Sequence, residues 1–147
     1  MKRTYITHYM LCITFLYVGA VSCSCDNSKR AIRQAAYHYL DAMANYRVDD
    51  AVPFCSQETE DGVIRVGRNL VKAVEPGYIE SDTPAKIIIK EVEQTSDTTA
   101  TVGYHKTTPQ KKQNGTVNLV LRDGTWKVHI PRGFQKPTSQ PSDMTQD

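Results

Sequence analysis

The segment from Ser28 to Arg47 carries apolar residues at spacings of three and four, which places them on one stripe of a helix. These residues are Ile32, Ala35, Ala36, Tyr39, Leu40, Met43 and Tyr46. Asn27 or Ser28 has the side chain of a helix N-cap. The pattern predicts a long amphipathic first helix.

Two shorter helices are expected to follow. The first covers residues 48–55, and Pro53 limits its length because proline has no backbone N–H to donate. Polar residues over 56–61 predict a loop. The next helix covers 62–75 and ends at Pro76-Gly77. Its predicted core face consists of Val63, Ile64, Leu70, Val71 and Val74.

After Pro84 the apolar residues recur with a period of two, which is typical of strands. Four strands are predicted, over 86–94, 98–107, 116–122 and 125–130. Asp123-Gly124 between the last two predicts a tight hairpin, because a type I′ turn needs positive φ at both central positions. The polar residues 109–115 are expected to form a loop.

Alternation along the last three strands assigns their side chains to two faces. The predicted inner face consists of Ala100, Val102, Tyr104, Val117, Leu119, Leu121, Trp126, Val128 and Ile130. His105, Arg122, Lys127 and His129 are expected to point outward, where the two histidines could face each other. Three N-terminal helices followed by a four-stranded antiparallel sheet define an α+β domain.

The N-terminus has the parts of a secretory signal peptide. Lys2 and Arg3 are followed by an uncharged apolar run over 10–21 and by small residues and cysteines over 22–25. The run is shorter than the roughly 20 residues that a transmembrane helix needs. A buried core helix is the alternative, but the run ends without a helix cap. We therefore expect an exported protein.

Ala20-Val21-Ser22-Cys23 resembles the lipobox of bacterial lipoproteins. The resemblance implies that residues 1–22 are a lipoprotein signal peptide and that Cys23 carries the lipid anchor, including a palmitate-type chain. Cys25 is the alternative anchor, although the position three residues before it is then polar. Residues 23–27 would be a lipidated tether. A secreted protein with a disulfide at Cys23 remains the other interpretation.

The order of helices and strands, with Asp123-Gly124-Thr125-Trp126-Lys127-Val128 at its end, resembles small bacterial lipoproteins of the nuclear transport factor 2-like (NTF2-like, cystatin-like α+β) superfamily. Many of these are domains of unknown function. The similarity spans residues 28–130 and also includes Asn45-Tyr46-Arg47 and Ala100-Thr101-Val102. It implies a curved sheet wrapped on the long first helix, with a cavity between them. Members include polyketide cyclases, isomerases and dehydratases, whereas others only bind or dimerise.

Five side chains are candidates for lining that cavity, namely Tyr39, Met43, Tyr46, Tyr104 and Trp126. Ordinary core packing is the alternative for all five. An enzyme of this fold would be expected to place an Asp–His or Asp–Tyr pair in the cavity, and the predicted inner face has no carboxylate. No catalytic residue, metal ligand set or cofactor site is therefore predicted.

The composition adjusts this interpretation in two places. The chain of 147 residues has 18 Lys and Arg against 16 Asp and Glu, but Lys2 and Arg3 belong to the leader, so the mature protein would be neutral. Such a balance does not suggest a nucleic-acid partner. Cys25 and Cys55 would remain as thiols, and whether they pair is left open.

These observations predict a leader (1–22), a tether (23–27), one domain (28–131) and a disordered tail (132–147). The expected location is the bacterial cell envelope, with the domain in the periplasm or at the cell surface and the lipid in the membrane. The expected function is non-catalytic binding of a small ligand or an envelope protein. A small cavity enzyme of the dehydratase or isomerase type, or a dimeric structural module, is the alternative.

Overall fold

The computed structural model describes residues 24–131, and their side chains from residue 26 onward. The predicted leader, the anchor at Cys23 and the tail over 132–147 lie outside the described residues. The first helix, α1 (Ser24–Ala44), has 21 residues and begins ahead of the expected start at Ser28. The proposed division into leader, tether and domain stays a prediction.

Three further helical stretches precede the sheet. A short 3-10 helix (Val48–Phe54) confirms the predicted second helix and contains Pro53. A continuous helical segment then comprises α2 (Gln57–Thr59), a π-helical turn (Glu60–Ile64) and α3 (Arg65–Ala73). We call these residues the helical segment 57–73. A fourth α-helix, α4 (Pro76–Asp82), completes this half of the chain.

One expectation about these helices was wrong, and one helix was not expected. Residues 56–61 are not a loop, because Ser56 caps the helical segment and its hydroxyl accepts the backbone N–H of Thr59. The predicted third helix ends before Pro76, at Ala73, but Pro76 then occupies the first turn of a further helix, α4. Proline is favoured at that position, since its fixed φ suits the helix and the N–H it lacks would have no partner there.

The sheet is antiparallel in the order β1-β2-β3-β4. Its strands are β1 (Lys86–Gln94), β2 (Thr99–Thr107), β3 (Lys112–Arg122) and β4 (Thr125–Val128). β3 begins within the predicted 109–115 loop, where its extra residues pair with the end of β2. Asp123 (φ 50°) and Gly124 (φ 72°) both have positive φ, which confirms the predicted hairpin.

The core lies between α1 and the sheet, and α1 contacts all four strands. Six residues of the predicted inner face are buried, and Tyr104, Leu121 and Ile130 are partly buried against them. The predicted α+β architecture is therefore confirmed, with one helix more than expected. No helix among residues 24–131 combines the length and the apolar character needed to cross a membrane.

The two strand histidines do not face each other, although their alternation left that arrangement open. The Nδ1 atom of His105 lies 2.7 Å from Oδ1 of Asn114, its cross-strand neighbour on β3. His129 follows the end of β4, and its Nδ1 atom lies 3.0 Å from Oγ of Ser56. The pairing register explains this separation, because the backbone N–H of His129 donates to Asn118, which lies four residues along β3 from Asn114.

Candidate binding groove

A groove of about 760 Å³ opens where the end of α1, the helical segment 57–73 and the chain leaving β4 meet. We call it the binding groove. Its apolar lining consists of Met43, Val63, Val66, Leu70, Ile130 and Pro131. Charged side chains of Glu58, Asp61 and Arg65 also line it.

The helix α3 supplies the most exposed part of this lining. Val66 is 53% exposed and Leu70 is 59% exposed, and α3 contains no buried residue. A spacing of four places the two side chains on the same face of the helix. Of the core face predicted for this helix, Ile64 alone is fully buried. Val71 packs against the core as well, whereas Val66 and Leu70 stay exposed.

One close contact and one ion pair hold α3 in this position. A Cβ atom built on Gly67 would lie 3.2 Å from Cγ1 of Val48 and 3.7 Å from Cε of Met43, so the helix backbone approaches its neighbours closely at this point. Nε of Arg68 lies 2.6 Å from Oδ1 of Asp49 in the 3-10 helix. The π-helical turn precedes this contact, and such turns are frequent at functional sites.

The opposite wall of the groove is fixed by a hydrogen-bonded cluster of Ser56, Thr59 and His129. The Thr59 hydroxyl accepts the N–H of Ile130 at 2.8 Å and donates to the carbonyl of Val128 at 3.2 Å. The Ser56 N–H donates to the same carbonyl at 2.8 Å. These bonds tie the start of the helical segment 57–73 to the chain that leaves β4.

The rim of the groove carries ionised carboxylate. Hydrogen bonding by its own backbone and by the Ser56 side chain lowers the pKa of Glu58 below its ordinary value, and the positive potential of His129 and Arg122 acts in the same direction. Desolvation acts against these effects. Oε2 of Glu58 lies 3.8 Å from Nδ1 of His129.

This cluster is not arranged for nucleophilic catalysis. Ser56 is 5% exposed, and its hydroxyl already serves as a helix cap and as the partner of Thr59 and His129. Among the described residues, no three His, Cys, Asp or Glu side chains are grouped so that they could hold a metal ion. A Ser followed by Glu58 in the first helical turn could have signalled this helix start in the sequence.

The structure places the five expected cavity residues in different surroundings. Met43 lines the binding groove, whereas Tyr39 is 4% exposed in the core, where burial raises the pKa of its hydroxyl. The ring of Tyr104 lies against Gly115 on β3, and burial raises the pKa of Tyr104 as well. Trp126 is 6% exposed and borders a second depression of about 390 Å³. A shared cavity for the five stays a prediction.

Tyr46, the fifth of these residues, forms an Asp–Tyr pair that the sequence did not suggest. Its hydroxyl donates to Oδ2 of Asp82 at 3.0 Å, and the Asp82 side chain is buried. A hydrogen bond from Thr108, the one from Tyr46 and the charges of Lys106 and Lys111 lower the pKa of Asp82. A carboxylate with a lowered pKa is a weak general base, so this pair serves to join α4, the end of α1 and the β2–β3 connection.

Cys55 is buried, and its thiol is free within the described part of the chain. Burial is the largest cause that raises the pKa of the thiol, to about 11. The sulfur is therefore protonated at neutral pH and unreactive. The Cys25 side chain lies outside the description, so its pairing stays open.

Two solved structures resemble this fold. A Campylobacter jejuni protein that its name calls an NTF2-like transpeptidase aligns with 65% of this chain and 94% of its own, with 14% identity and a TM-score of 0.49. An NTF-2 like protein of unknown function from Shewanella oneidensis MR-1 aligns with 67% of this chain and 92% of its own, with 16% identity and a TM-score of 0.49. No protein-family profile and no curated protein sequence matches the chain.

Proposed function

We propose that this protein is a lipid-anchored lipoprotein of the bacterial cell envelope whose domain binds an apolar small molecule in the binding groove without transforming it. The observation that carries the proposal is the exposed apolar wall formed by Val66 and Leu70. The groove volume of about 760 Å³ is in the range of small-molecule sites, about 300–1,000 Å³. Apolar walls with a few charged groups at the rim are typical of such sites.

The outer face of the sheet is a poorer candidate for binding apolar groups. Its central positions carry polar side chains that bond to each other across β2 and β3, as in the 3.1 Å bond from Thr101 to Asn118. A homodimer that buried this face would have to remove these polar groups from water, which costs free energy. We therefore assign binding to the groove and keep dimerisation as the alternative.

The proposed anchor and the binding groove lie near opposite ends of α1. Cys23 immediately precedes the helix, and Met43 is in its last turn. Nineteen residues of helix separate Ser24 from Met43, which corresponds to about 28 Å at 1.5 Å per residue. A lipid at Cys23 would thus let the groove face the envelope compartment, where a dissolved ligand can reach it.

We also propose that the domain belongs to the NTF2-like superfamily. The order of helices and strands supports this assignment, as does the sheet that packs on α1. The Asp123-Gly124 hairpin joins β3 to β4 as the resemblance requires. Because superfamily members differ in activity, the assignment itself implies no reaction.

The anchor is tested by metabolic labelling with an alkyne fatty acid and by membrane fractionation. We expect Cys23→Ala to abolish labelling and to release the protein from membranes, because the acyl chains supply the membrane affinity. Cys25→Ala is the matched control and should keep both properties. Labelling that persists in Cys23→Ala and disappears in Cys25→Ala would move the anchor to the alternative position.

The groove is tested by titration with Nile red, a neutral apolar dye. We expect Leu70→Asp to weaken dye binding about tenfold, because a charge on the wall removes about 1.4 kcal/mol or more of apolar contact. Ile88→Asp is the matched control, since Ile88 is a 39% exposed apolar residue on β1, outside the groove. Equal dye affinity in the two variants would contradict the proposal.

A further inference from the structure

We propose that Phe134 in the C-terminal segment of this same chain docks into the binding groove and competes with the ligand. This inference rests on the proposed function, because it names an occupant of the same groove. Its occupant is a specific part of the chain, residues 132–136, which follows the last described residue.

The position of Pro131 supports this occupant. Pro131 is the last described residue and is itself part of the groove lining, beside Ile130. Phe134 lies three residues further along the chain, so its Cα atom is within about 10 Å of Pro131 even when the chain is fully extended. Gly133 lies between them and tolerates the backbone angles that a return toward the wall would require.

Phe134 is also the first large apolar side chain after Pro131, which lines the same groove as the exposed Val66 and Leu70. A fixed short connection gives such a group a local concentration in the millimolar range. A second copy of the protein would have to bind the same wall from a much lower concentration. The tethered segment is therefore favoured over a second copy.

Charge complementarity favours the same occupant. Arg132 and Lys136 flank Phe134 in the sequence and give this part of the segment two positive charges. The described lining of the groove contains the carboxylates of Glu58 and Asp61 and the guanidinium of Arg65. A phenyl group between two cations thus fits an apolar groove whose rim carries more negative than positive charge.

Docking of this kind lowers the apparent affinity for any other occupant. If the segment fills the groove nine-tenths of the time, the apparent dissociation constant of a ligand rises about tenfold. Removing the Phe134 side chain should therefore strengthen ligand binding by the same factor.

The test uses the full chain and Nile red. We expect Phe134→Ala to tighten dye binding about tenfold, whereas Met144→Ala, which removes an apolar side chain ten residues further along, should leave it unchanged. Adding Leu70→Asp to Phe134→Ala should remove the gain. Circular dichroism melts of each variant establish that the domain stays folded, and Leu70 is 59% exposed, so its replacement should not disturb the core.

The outcomes separate the two proposals. Unchanged binding in Phe134→Ala, together with weaker binding in Leu70→Asp, would overturn the docking of the segment and leave the groove in place. Unchanged binding when Leu70→Asp is added to Phe134→Ala would overturn the groove itself. A photo-cross-linking residue, p-benzoylphenylalanine, in place of Phe134 should join the segment to residues 57–74 of the same chain. Cross-links between chains would instead identify a second copy as the occupant and overturn the inference.

Discussion

The Thr59 hydroxyl is the group by which the helical segment 57–73 holds the chain that leaves β4. Thr59 is fully buried, at 0% exposure, and its Oγ atom accepts the N–H of Ile130 and donates to the carbonyl of Val128. The change Thr59→Val removes both bonds, together with the 3.1 Å contact to the Ser56 hydroxyl, and keeps the shape of the side chain. We therefore expect it to loosen the groove wall at Ile130 and Pro131 without creating a cavity.

The loss in the free energy of unfolding depends on which polar groups lose their hydrogen-bond partners. The carbonyl of Val128 keeps the 2.8 Å bond from the Ser56 N–H, so it remains satisfied. The N–H of Ile130 loses its 2.8 Å bond to Thr59, and Ile130 is partly buried against the core. One unsatisfied N–H of this kind costs about 1–3 kcal/mol. The free energy of unfolding of Thr59→Val should fall by that amount.

Urea denaturation followed by circular dichroism measures the loss, and amide hydrogen exchange locates it. The Ile130 amide should exchange faster in Thr59→Val through local opening. Amides of β2 exchange through global unfolding, so their protection should fall only as far as the free energy of unfolding falls. Thr116→Val on the exposed outer face of β3 is the matched control and should change stability by no more than about 0.5 kcal/mol. A loss for Thr59→Val as small as the control's, with unchanged Ile130 exchange, would refute the reasoning.

Three further substitutions test the core, a close contact and a buried carboxylate. Trp126→Ala should lower the free energy of unfolding by about 3–5 kcal/mol in urea denaturation, and a loss under about 1 kcal/mol would contradict the strand register. Gly115→Ala should cost about 1–3 kcal/mol, because the new Cβ would lie 2.6 Å from Oη of Tyr104, and Tyr104→Leu should restore part of the loss. The folded pKa of Asp82 is lowered, so its stabilisation is present above the ordinary carboxyl pKa of about 4 and is lost as the pH falls through the folded value. Asp82→Asn should therefore reduce stability at pH 7 and flatten its decline in acid, and an unchanged pH profile would count against this role.

The parts of the fold that could be predicted are those where apolar residues recur at a regular spacing over many residues. The stripe of α1 and the alternation along β2, β3 and β4 each extend over enough residues to fix a face. Short helices were harder, because their limits depend on single contacts. Ser56 begins a helix only because its hydroxyl meets the N–H of Thr59, and Pro76 begins another although proline was expected to end one.

The binding groove could not be predicted for a different physical reason. Periodicity shows that Val63, Ile64 and Leu70 belong to an apolar side of a helix, but it cannot show whether another element covers that side. Here Ile64 is fully buried in the core, whereas Val66 and Leu70 of the same helical segment stay at the surface. Exposed apolar side chains add no hydrophobic stabilisation to the isolated domain, but an occupant of the groove would remove them from water. The chain supplies one candidate occupant three residues beyond Pro131, at Phe134.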